Sequence, residues 1–474
     1  EIMMTDYRYG FVAGIAKEVL KTVSEQRADV SRQIDQVLTN RLLGLPIFVF
    51  FIWAMFQLTF SLGAYPEDWI SIGVGWLGRT ANGVLPAGLL RDLIVDGVIA
   101  GVGSVIIFLP NILILFFCIA LFEDTGYLAR AAFLMDKVMH LIGLHGKSFI
   151  PLLMGFGCSV PAIMATRTLE SEKDRILTIL INPLMSCSAR LPVYVLLAGT
   201  FFGAKAGNAI FSIYGLGILL AILMGRLFRS TVLKGQVAPF VMELPPYRVP
   251  MLKGLLIHMW ERSKLFLRKM GGVILIGSVV IWVLSSFPRD VRLSRDYDSE
   301  KAALTVRYDV SLAQARGEHS AELLAEKDGA LAALEAEKAK EKVEKSFIGH
   351  LGKALSPALA PIGMDWRGSV AVMTGFVAKE IVVSTMGVLY AAGETKDEGE
   401  ALKLALKKSG MTPLSAYAMM AFVLIYIPCL ATISVIRRET NSWKWTGFSI
   451  AYSTILAWIV AFIIYQGGRL IGLG

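Results

Sequence analysis

The 474 residues are 55% hydrophobic and only 18% charged, with a mean hydropathy of +0.59 and a formal net charge of +9. That composition excludes an ordinary soluble domain, and the basic excess gathers in loops beside apolar runs, which points to membrane topology and no nucleic-acid partner. The four cysteines, Cys118, Cys158, Cys187 and Cys429, all fall inside apolar runs, which excludes a disulfide scaffold built from loops.

Residues 1–41 are polar, with an apolar rhythm at Phe11, Ile15, Val19 and Val23 that predicts an amphipathic cytoplasmic lead-in helix. The chain opens on Glu1 with no signal-peptide pattern and is expected to be a piece of a longer polypeptide. Residues 42–227 then form a first transmembrane half, with apolar runs at 44–62, 98–121, 176–202 and 209–224. A helix needs roughly 20 residues to cross a ~30 Å hydrocarbon core, and these approach or exceed that length. The stretches 128–142 and 149–166 are helical but ambiguous in depth, the first carrying Arg130, Asp136 and His140, the second Pro151 and Pro161.

The segment 228–269 is a basic loop expected on the cytoplasmic side. A second transmembrane half starts at 270–288, is interrupted by 289–346, and resumes over 347–474, with runs at 271–287, 369–390, 414–436 and 445–465 and a shorter one at 347–361. The interruption is rich in Ala, Glu, Lys and Leu and almost free of aromatics, which predicts a solvated helical insertion. The expected fold is an all-α polytopic membrane protein with roughly eight to eleven transmembrane helices.

The halves look related. Met154-Gly-Phe is followed by Pro183 and Cys187, and Met373-Thr-Gly-Phe by Pro428 and Cys429. The interval from Phe156 to Cys187 is 31 positions and that from Phe376 to Cys429 is 53, a difference of 22, which is the length of the polar segment 391–412. With five helical segments per half, the second half starts in the opposite orientation, giving two inverted repeats with Gly/Pro-interrupted helices and a substrate site between them.

The intramembrane chemistry is concentrated at three places. Gly155-Phe-Gly-Cys-Ser-Val-Pro-Ala162 packs two glycines, Cys158, Ser159 and Pro161 into one span, which predicts a broken helix whose freed carbonyls and sulfur can replace a cation's hydration shell. Met154 lies one turn before Cys158 and adds a second sulfur on the same helical face. A buried cysteine is also commonly just a small hydrophobe, so Cys158 by itself is as consistent with packing. The run from Asn182 to Pro192 places Asn182, Ser186 and Arg190 at intervals of four, a polar stripe on a helix bracketed by Pro183 and Pro192. An intramembrane arginine is costly and by default functional, structural counter-ion being the bland alternative. Lys379-Glu380 is the counterpart in the second half, and Glu380 is expected to pair with Arg190 across the repeat interface. Tyr426-Ile-Pro428-Cys429 repeats the combination of proline and thiol. Cys118 lies in a plain apolar run and reads as packing, whereas Glu123 and Asp124, at a membrane boundary, read as a cation-gathering pair or a solvated helix end. Gly146-Lys-Ser148 lacks the earlier glycine of a phosphate loop, since position 141 is Leu141.

Together these segments resemble the membrane domain of the bacterial ferrous iron transport protein B family, FeoB. The likeness is carried by Asn40-Arg-Leu-Leu-Gly-Leu-Pro-Ile-Phe48, Phe122-Glu-Asp-Thr-Gly-Tyr-Leu-Ala-Arg130, the run from Gly146 to Ala162, Ala165-Thr-Arg-Thr-Leu-Glu170, Pro183-Leu-Met-Ser-Cys-Ser-Ala-Arg-Leu-Pro192 and Gly375-Phe-Val-Ala-Lys-Glu380. The resemblance implies ferrous iron (Fe2+) as the transported ion, location in the bacterial cytoplasmic membrane, two gate regions related as repeats, and gate cysteines matching Cys158, Cys187 and Cys429. It also implies an N-terminal GTP-binding domain ahead of the first span. This chain begins after that domain, so no enzyme activity is expected of it, and GTP and Mg2+ would act only through that domain in cis or trans. Small accessory iron-transport proteins and a homo-oligomer are further expected partners, beside membrane lipid.

In this reading the pathway is lined by Cys158, Cys187 and Cys429 with Met154, Ser159 and Ser186 as softer contacts, while Arg190, Lys379, Glu380 and Asn182 hold the interrupted helices in register. Thiolates bind zinc and copper at least as well as iron, so iron comes from the resemblance and not from the ligand set. Zn2+ or Mn2+ transport, a nucleoside-like solute carrier and a non-transporting scaffold are the alternatives.

Overall fold

The structure, a computed structural model, describes residues 31, 33–40, 43–86, 88–107, 109–234, 247–289, 293–314, 318–390 and 398–472. The rhythm at Phe11, Ile15, Val19 and Val23 lies outside them. Every regular element among the described residues is helical.

Helix α1 covers Gly44–Val84, with Pro66 inside it. At 1.5 Å per residue it is about 60 Å long, twice a hydrocarbon core, and so far outruns the apolar run at 44–62. The run expected as one span over 98–121 is divided into a π-helical turn at Leu93–Ile99, α2 at Ala100–Ile107 and α3 at Leu109–Asp124. At Gly126, whose φ of +81° is left-handed, the chain bends by 85° into α4, Tyr127–Ile142. Short helices follow: α5 (Phe149–Gly155), α6 (Ser159–Ala165), α7 (Glu172–Ile181) and α8 (Leu191–Phe201), and then the long α9 (Ala206–Thr231).

Helix α10, Leu252–Ser286, starts well inside the basic segment, and α9 ends inside it. Much of what composition reads as a basic loop is therefore helix, because its charges alternate with Leu, Ile and Met at helical spacing. The charged insertion folds as two packed helices, α11 (Tyr297–Gln314) and α12 (Glu318–Glu344), braced by ion pairs Lys327–Asp309 and Lys338–Asp298 at 2.5 Å and by Lys301–Glu335. Then come α13 (Phe347–Leu359), α14 (Trp366–Thr374), α15 (Ile381–Tyr390), α16 (Glu398–Lys408, within the polar segment 391–412), α17 (Pro413–Ile425), α18 (Leu430–Thr440) and α19 (Trp443–Leu470).

This is an all-α polytopic membrane protein. Among the described residues five helical segments are long and apolar enough to cross a membrane, or six if the bent pair α3 and α4 counts as one span. The other apolar runs of the sequence are short or interrupted. Helix α17 is buried over nearly its whole length, as expected of a segment apolar all round, and α7 is buried from Ile176 to Ile181 beyond its charged first turn.

A constant offset of 220 positions relates parts of the halves: Gly143 to Gly363, and Gly155-Phe156 to Gly375-Phe376. Gly143 and Gly363 both stop a helix in left-handed backbone, with φ of +82° and +79°. Each lies against a long helix of its own half, where an added Cβ would come within 2.8 Å of Arg229 in α9 or 2.4 Å of the Tyr465 ring in α19. The halves lock together where Val160 and Ile163 of α6 meet Val435 and Ile436 of α18.

Candidate functional site

The first span with paired glycines is broken between α5 and α6. Phe156 and Gly157 continue only as tight turns onto Leu153 and Met154, and Cys158 is extended (φ −152°, ψ 128°), so the helix restarts at Ser159. Pro161 does not break it. It sits in the first turn of α6, where its missing N–H costs nothing. A second break separates α7 from α8, with 3-10 turns at Asn182–Leu184 and Ser188–Arg190 and extended Met185 and Cys187 between them. Pro183 sits in the first of these turns.

Asn182, Ser186 and Arg190 therefore do not form a helical stripe, because no helix runs through them. They bind backbone or neighbours that the break exposes: Asn182 Nδ2 donates to the Pro151 carbonyl at 2.9 Å, Ser186 Oγ to the Tyr194 hydroxyl at 3.2 Å, and Arg190 to the carbonyls of Pro183 and Met185 at 3.0 and 3.2 Å. A buried carbonyl left unpaired costs about 1–3 kcal/mol, so the contacts of Asn182 and Arg190 hold the broken backbone in place.

The second half repeats the device. Helix α14 ends at Thr374, a turn through Phe376 and Lys379 follows, and α15 starts at Ile381. The other broken span stops at Tyr426, runs extended to Cys429, and restarts at Leu430. Pro428 favours the extended stretch, since a residue before proline avoids helical backbone. Tyr426 is consequently not one helical turn from Cys429. Its hydroxyl donates to the Val372 carbonyl at 3.1 Å, matching Asn182 on Pro151. The backbone N–H after each cysteine also crosses to the partner break: Ser188 N to Gly157 O at 3.1 Å, and Leu430 N to Phe376 O at 2.9 Å.

All three break cysteines are helix N-caps, Cys158 for α6, Cys187 for the 3-10 turn Ser188–Arg190 and Cys429 for α18, each in extended backbone and half-buried. They lie within electrostatic reach of one another, as Cys187 does of Arg190, Lys379 and Glu380. Metal ligation by cysteine needs the thiolate. Among the described residues no three His, Cys, Asp or Glu side chains are gathered tightly enough to hold a metal ion by themselves. The oxygens of the breaks and the sulfurs would have to share it.

Two expectations are redirected. Met154 packs with Met55, Leu115 and Cys118, whereas Cys158 packs with Cys429 against the α6–α18 cluster; the break turns the two sulfurs to different neighbours although Cys158 N still bonds Met154 O at 3.0 Å. Glu380 and Arg190 form no ion pair. The guanidinium is taken by carbonyls of its own break, and Lys379 Nζ donates across to the Ile427 carbonyl at 2.8 Å. Ser159 is buried at the start of α6, and Cys118 is buried among Leu115 and Ile119. Glu123 is exposed and Asp124 half-buried at the end of α3, beside the 85° bend and on a different element from the breaks.

Sequence reasoning missed a cavity of about 900 Å3 bounded by Asp92, Asp96, Ser278, Trp282, Arg289 and Ile381. Ile381 follows Glu380 directly, so this space reaches the break between α14 and α15. Its walls come from the π-helical turn, α2, α10, α12 and α15, and nothing in local sequence brings those elements together.

The chain matches a family model described as Gate, nucleoside recognition, at residues 105–201 and 267–443, and one described as ferrous iron transport protein B C terminus at residues 210–262. It is 52% identical over 480 residues to the Fe(2+) transport protein A/Fe(2+) transporter FeoB fusion protein of Porphyromonas gingivalis, covering 99% of this chain and 55% of that protein. It is 41% identical to the Fe(2+) transporter FeoB of Campylobacter jejuni, covering 96% and 68%, and 39% identical to that of Methanocaldococcus jannaschii, covering 99% and 64%. The chain thus spans between about half and two thirds of the length of these relatives. No solved structure matches it. Nearly full coverage of this chain at such identity places it: the chain belongs to the Fe(2+) transporter FeoB family.

Proposed function

We propose that the junction of the interrupted spans of the two halves is the ion pathway of a ferrous iron transporter of the bacterial cytoplasmic membrane. The observation that carries this reading is that three cysteines at helix N-cap positions, one in each of three interrupted spans, stand beside backbone carbonyls freed by the breaks. Cys158, Cys187 and Cys429 meet the cargo as sulfur ligands, and Ser159 and Ser186 add oxygen contacts. Arg190, Lys379 and Asn182 act on the backbone: they neutralise carbonyls that would otherwise collapse the breaks. Glu380, half-buried and without an ion pair among the described residues, faces the passing cation. Few protein ligands at one point give modest affinity, which a site that must release its ion requires.

The large cavity beside Ile381 serves as the vestibule, with Asp96 on its wall and Asp92 held by Arg289 at 3.0 Å. Glu123 and Asp124 collect cations at a separate boundary. Names of the relatives support iron as the cargo, and the fusion protein of Porphyromonas gingivalis supports a small accessory iron-transport protein as a partner. Energy coupling comes from a GTP-binding domain, with its Mg2+, acting in cis or trans. The role of this chain is transport and not catalysis.

Anaerobic, reducing proteoliposome uptake tests it. Fe2+ uptake should fall at least tenfold in Cys158→Ser and Cys187→Ser and stay within twofold of wild type in Cys118→Ser. Unaffected uptake in the first two would take the thiols out of the pathway, and preferential Zn2+ or Mn2+ uptake would change the cargo.

A further inference from the structure

Cys158 and Cys187 belong to different interrupted spans, yet the backbone holds them side by side. Both are extended, with φ and ψ of −152° and 128° at Cys158 and −79° and 161° at Cys187. The carbonyl of the peptide group joining Gly157 to Cys158 accepts from the N–H of the peptide group joining Cys187 to Ser188, at 3.1 Å. Ser188 Oγ donates to the same carbonyl at 2.9 Å.

Helix α7 turns back beside α6 after the short connection at 169–171, and Ile163 and Ile179 share one apolar cluster, so the two segments run antiparallel. Between antiparallel extended segments, a bond from Ser188 to Gly157 makes Cys158 and Cys187 directly opposed neighbours, a relation that holds Cα atoms about 4.5 Å apart. A disulfide spans Cα separations of roughly 4.4–6.8 Å, so these two can be bridged with little backbone movement. Both thiols are free and half-buried, and among the thiols Cys187 is the strongest electrostatic neighbour of Cys158. Cys429 is engaged elsewhere, its Sγ standing 3.1 Å from Thr432 Oγ1 of α18.

We propose that Cys158 and Cys187 form a reversible disulfide under peroxide, and that this bond shuts the ion pathway. The shutting rests on the reading of the junction as the route of the cation; the bond itself does not. Hydrogen peroxide is the oxidant, small and neutral enough to reach half-buried sulfurs. One thiol sulfur attacks a peroxide oxygen, the O–O bond breaks, and the products are a sulfenic acid and one water that carries off the thiol proton. The second thiol displaces the sulfenic hydroxyl as another water, and the S–S bond forms. Two thiols are oxidised by two electrons in all, and one peroxide is reduced to two waters. The pathway then lacks two of its three sulfur ligands, because a disulfide offers no thiolate to a metal. A dithiol reductant restores both.

The test treats the wild-type chain in proteoliposomes with hydrogen peroxide in chelator-treated, metal-free buffer, removes the peroxide with catalase, and divides the sample. Mass spectrometry of unreduced peptides should show Cys158 linked to Cys187, and dithiothreitol should abolish the link. The same link should form in Cys118→Ser and in Cys429→Ser. Fe2+ uptake by the oxidised wild type should fall at least tenfold and return to within twofold of the untreated level after dithiothreitol. Free Cys158 and Cys187 after treatment overturn the pair, as does a bond from either one to Cys429, or oxidation to sulfinic or sulfonic acid without a link. Undiminished uptake by molecules that carry the bond overturns its role as a switch. A reversible Cys158–Cys187 bond in a chain that moves no iron before treatment supports the pair while refuting the transport reading.

Discussion

The ammonium of Lys379 stands 3.2 Å from the centroid of the Tyr426 ring, and the same nitrogen donates to the Ile427 carbonyl at 2.8 Å. One side chain from the break between α14 and α15 thus closes the break between α17 and α18 by a cation–π contact and a charge-assisted hydrogen bond. Tyr426 in turn reaches back to Val372 in α14, so the two broken spans hold each other.

Lys379→Met removes both contacts and leaves a buried carbonyl unpaired, at a cost of about 1–3 kcal/mol. Iron uptake should fall at least tenfold, and the melting midpoint in detergent should drop by several degrees. Lys379→Arg, which retains charge and donor, should recover part of the uptake; equal loss in both variants would argue that the position needs only its size.

Gly143→Ala and Gly363→Ala each force a side chain into left-handed backbone, at about 1–2 kcal/mol, and drive a Cβ into Arg229 or Tyr465. Both should lower the melting midpoint clearly more than Gly199→Ala, whose added methyl meets no atom within 4 Å. Thermal unfolding of the three variants side by side checks the ranking.

Arg167, just after α6, makes a two-pronged pair with Glu439 of α18, with nitrogen–oxygen distances of 2.6 and 2.5 Å. It links the ends of the two helices whose N-caps are Cys158 and Cys429. Because Arg167 is 52% exposed, a double-mutant cycle of Arg167→Ala and Glu439→Ala should give a coupling of only about 0.5–1 kcal/mol, reduced by salt. A coupling of zero at low salt would make the pair incidental.

In the charged insertion, partial burial pushes the Glu341 carboxyl up, but hydrogen bonds from Lys345, Ser294 and Tyr297 outweigh it and hold it down at about 2, below its ordinary 4.5. A lowered carboxyl pKa stabilises the folded state above the ordinary value and loses that contribution as pH falls through the folded one. The segment around Ser294 and Tyr297 should therefore loosen from α12 between about pH 4.5 and pH 2. Limited proteolysis with an acid-active protease should show this, and Glu341→Gln should already be loose at pH 7.

Cys158, Cys187 and Cys429 were legible from sequence as a group because each sits among glycines or prolines inside an apolar run, a local conflict that helical packing alone does not produce. The all-α membrane fold was legible for a similar reason, since hydropathy over a spanning length is a property of consecutive residues. Partners were not. Asn182, Ser186 and Arg190 are evenly spaced only if the helix continues; once it breaks, their directions are set by which carbonyls are freed, and that depends on the neighbouring break. Met154 shares a helical face with Cys158 on paper and loses it for the same reason.

Residue order alone therefore determined the membrane class, the family likeness and the interruption between Gly155 and Pro161, all of which depend on neighbours within a turn or two. Only tertiary structure decided that Lys379 caps Ile427, that Arg190 serves its own break and not Glu380, and that Asn111 meets Glu67 across 44 positions. Those pairings arise where separate helices pack, and a buried polar group takes whichever partner the packing leaves within about 3 Å.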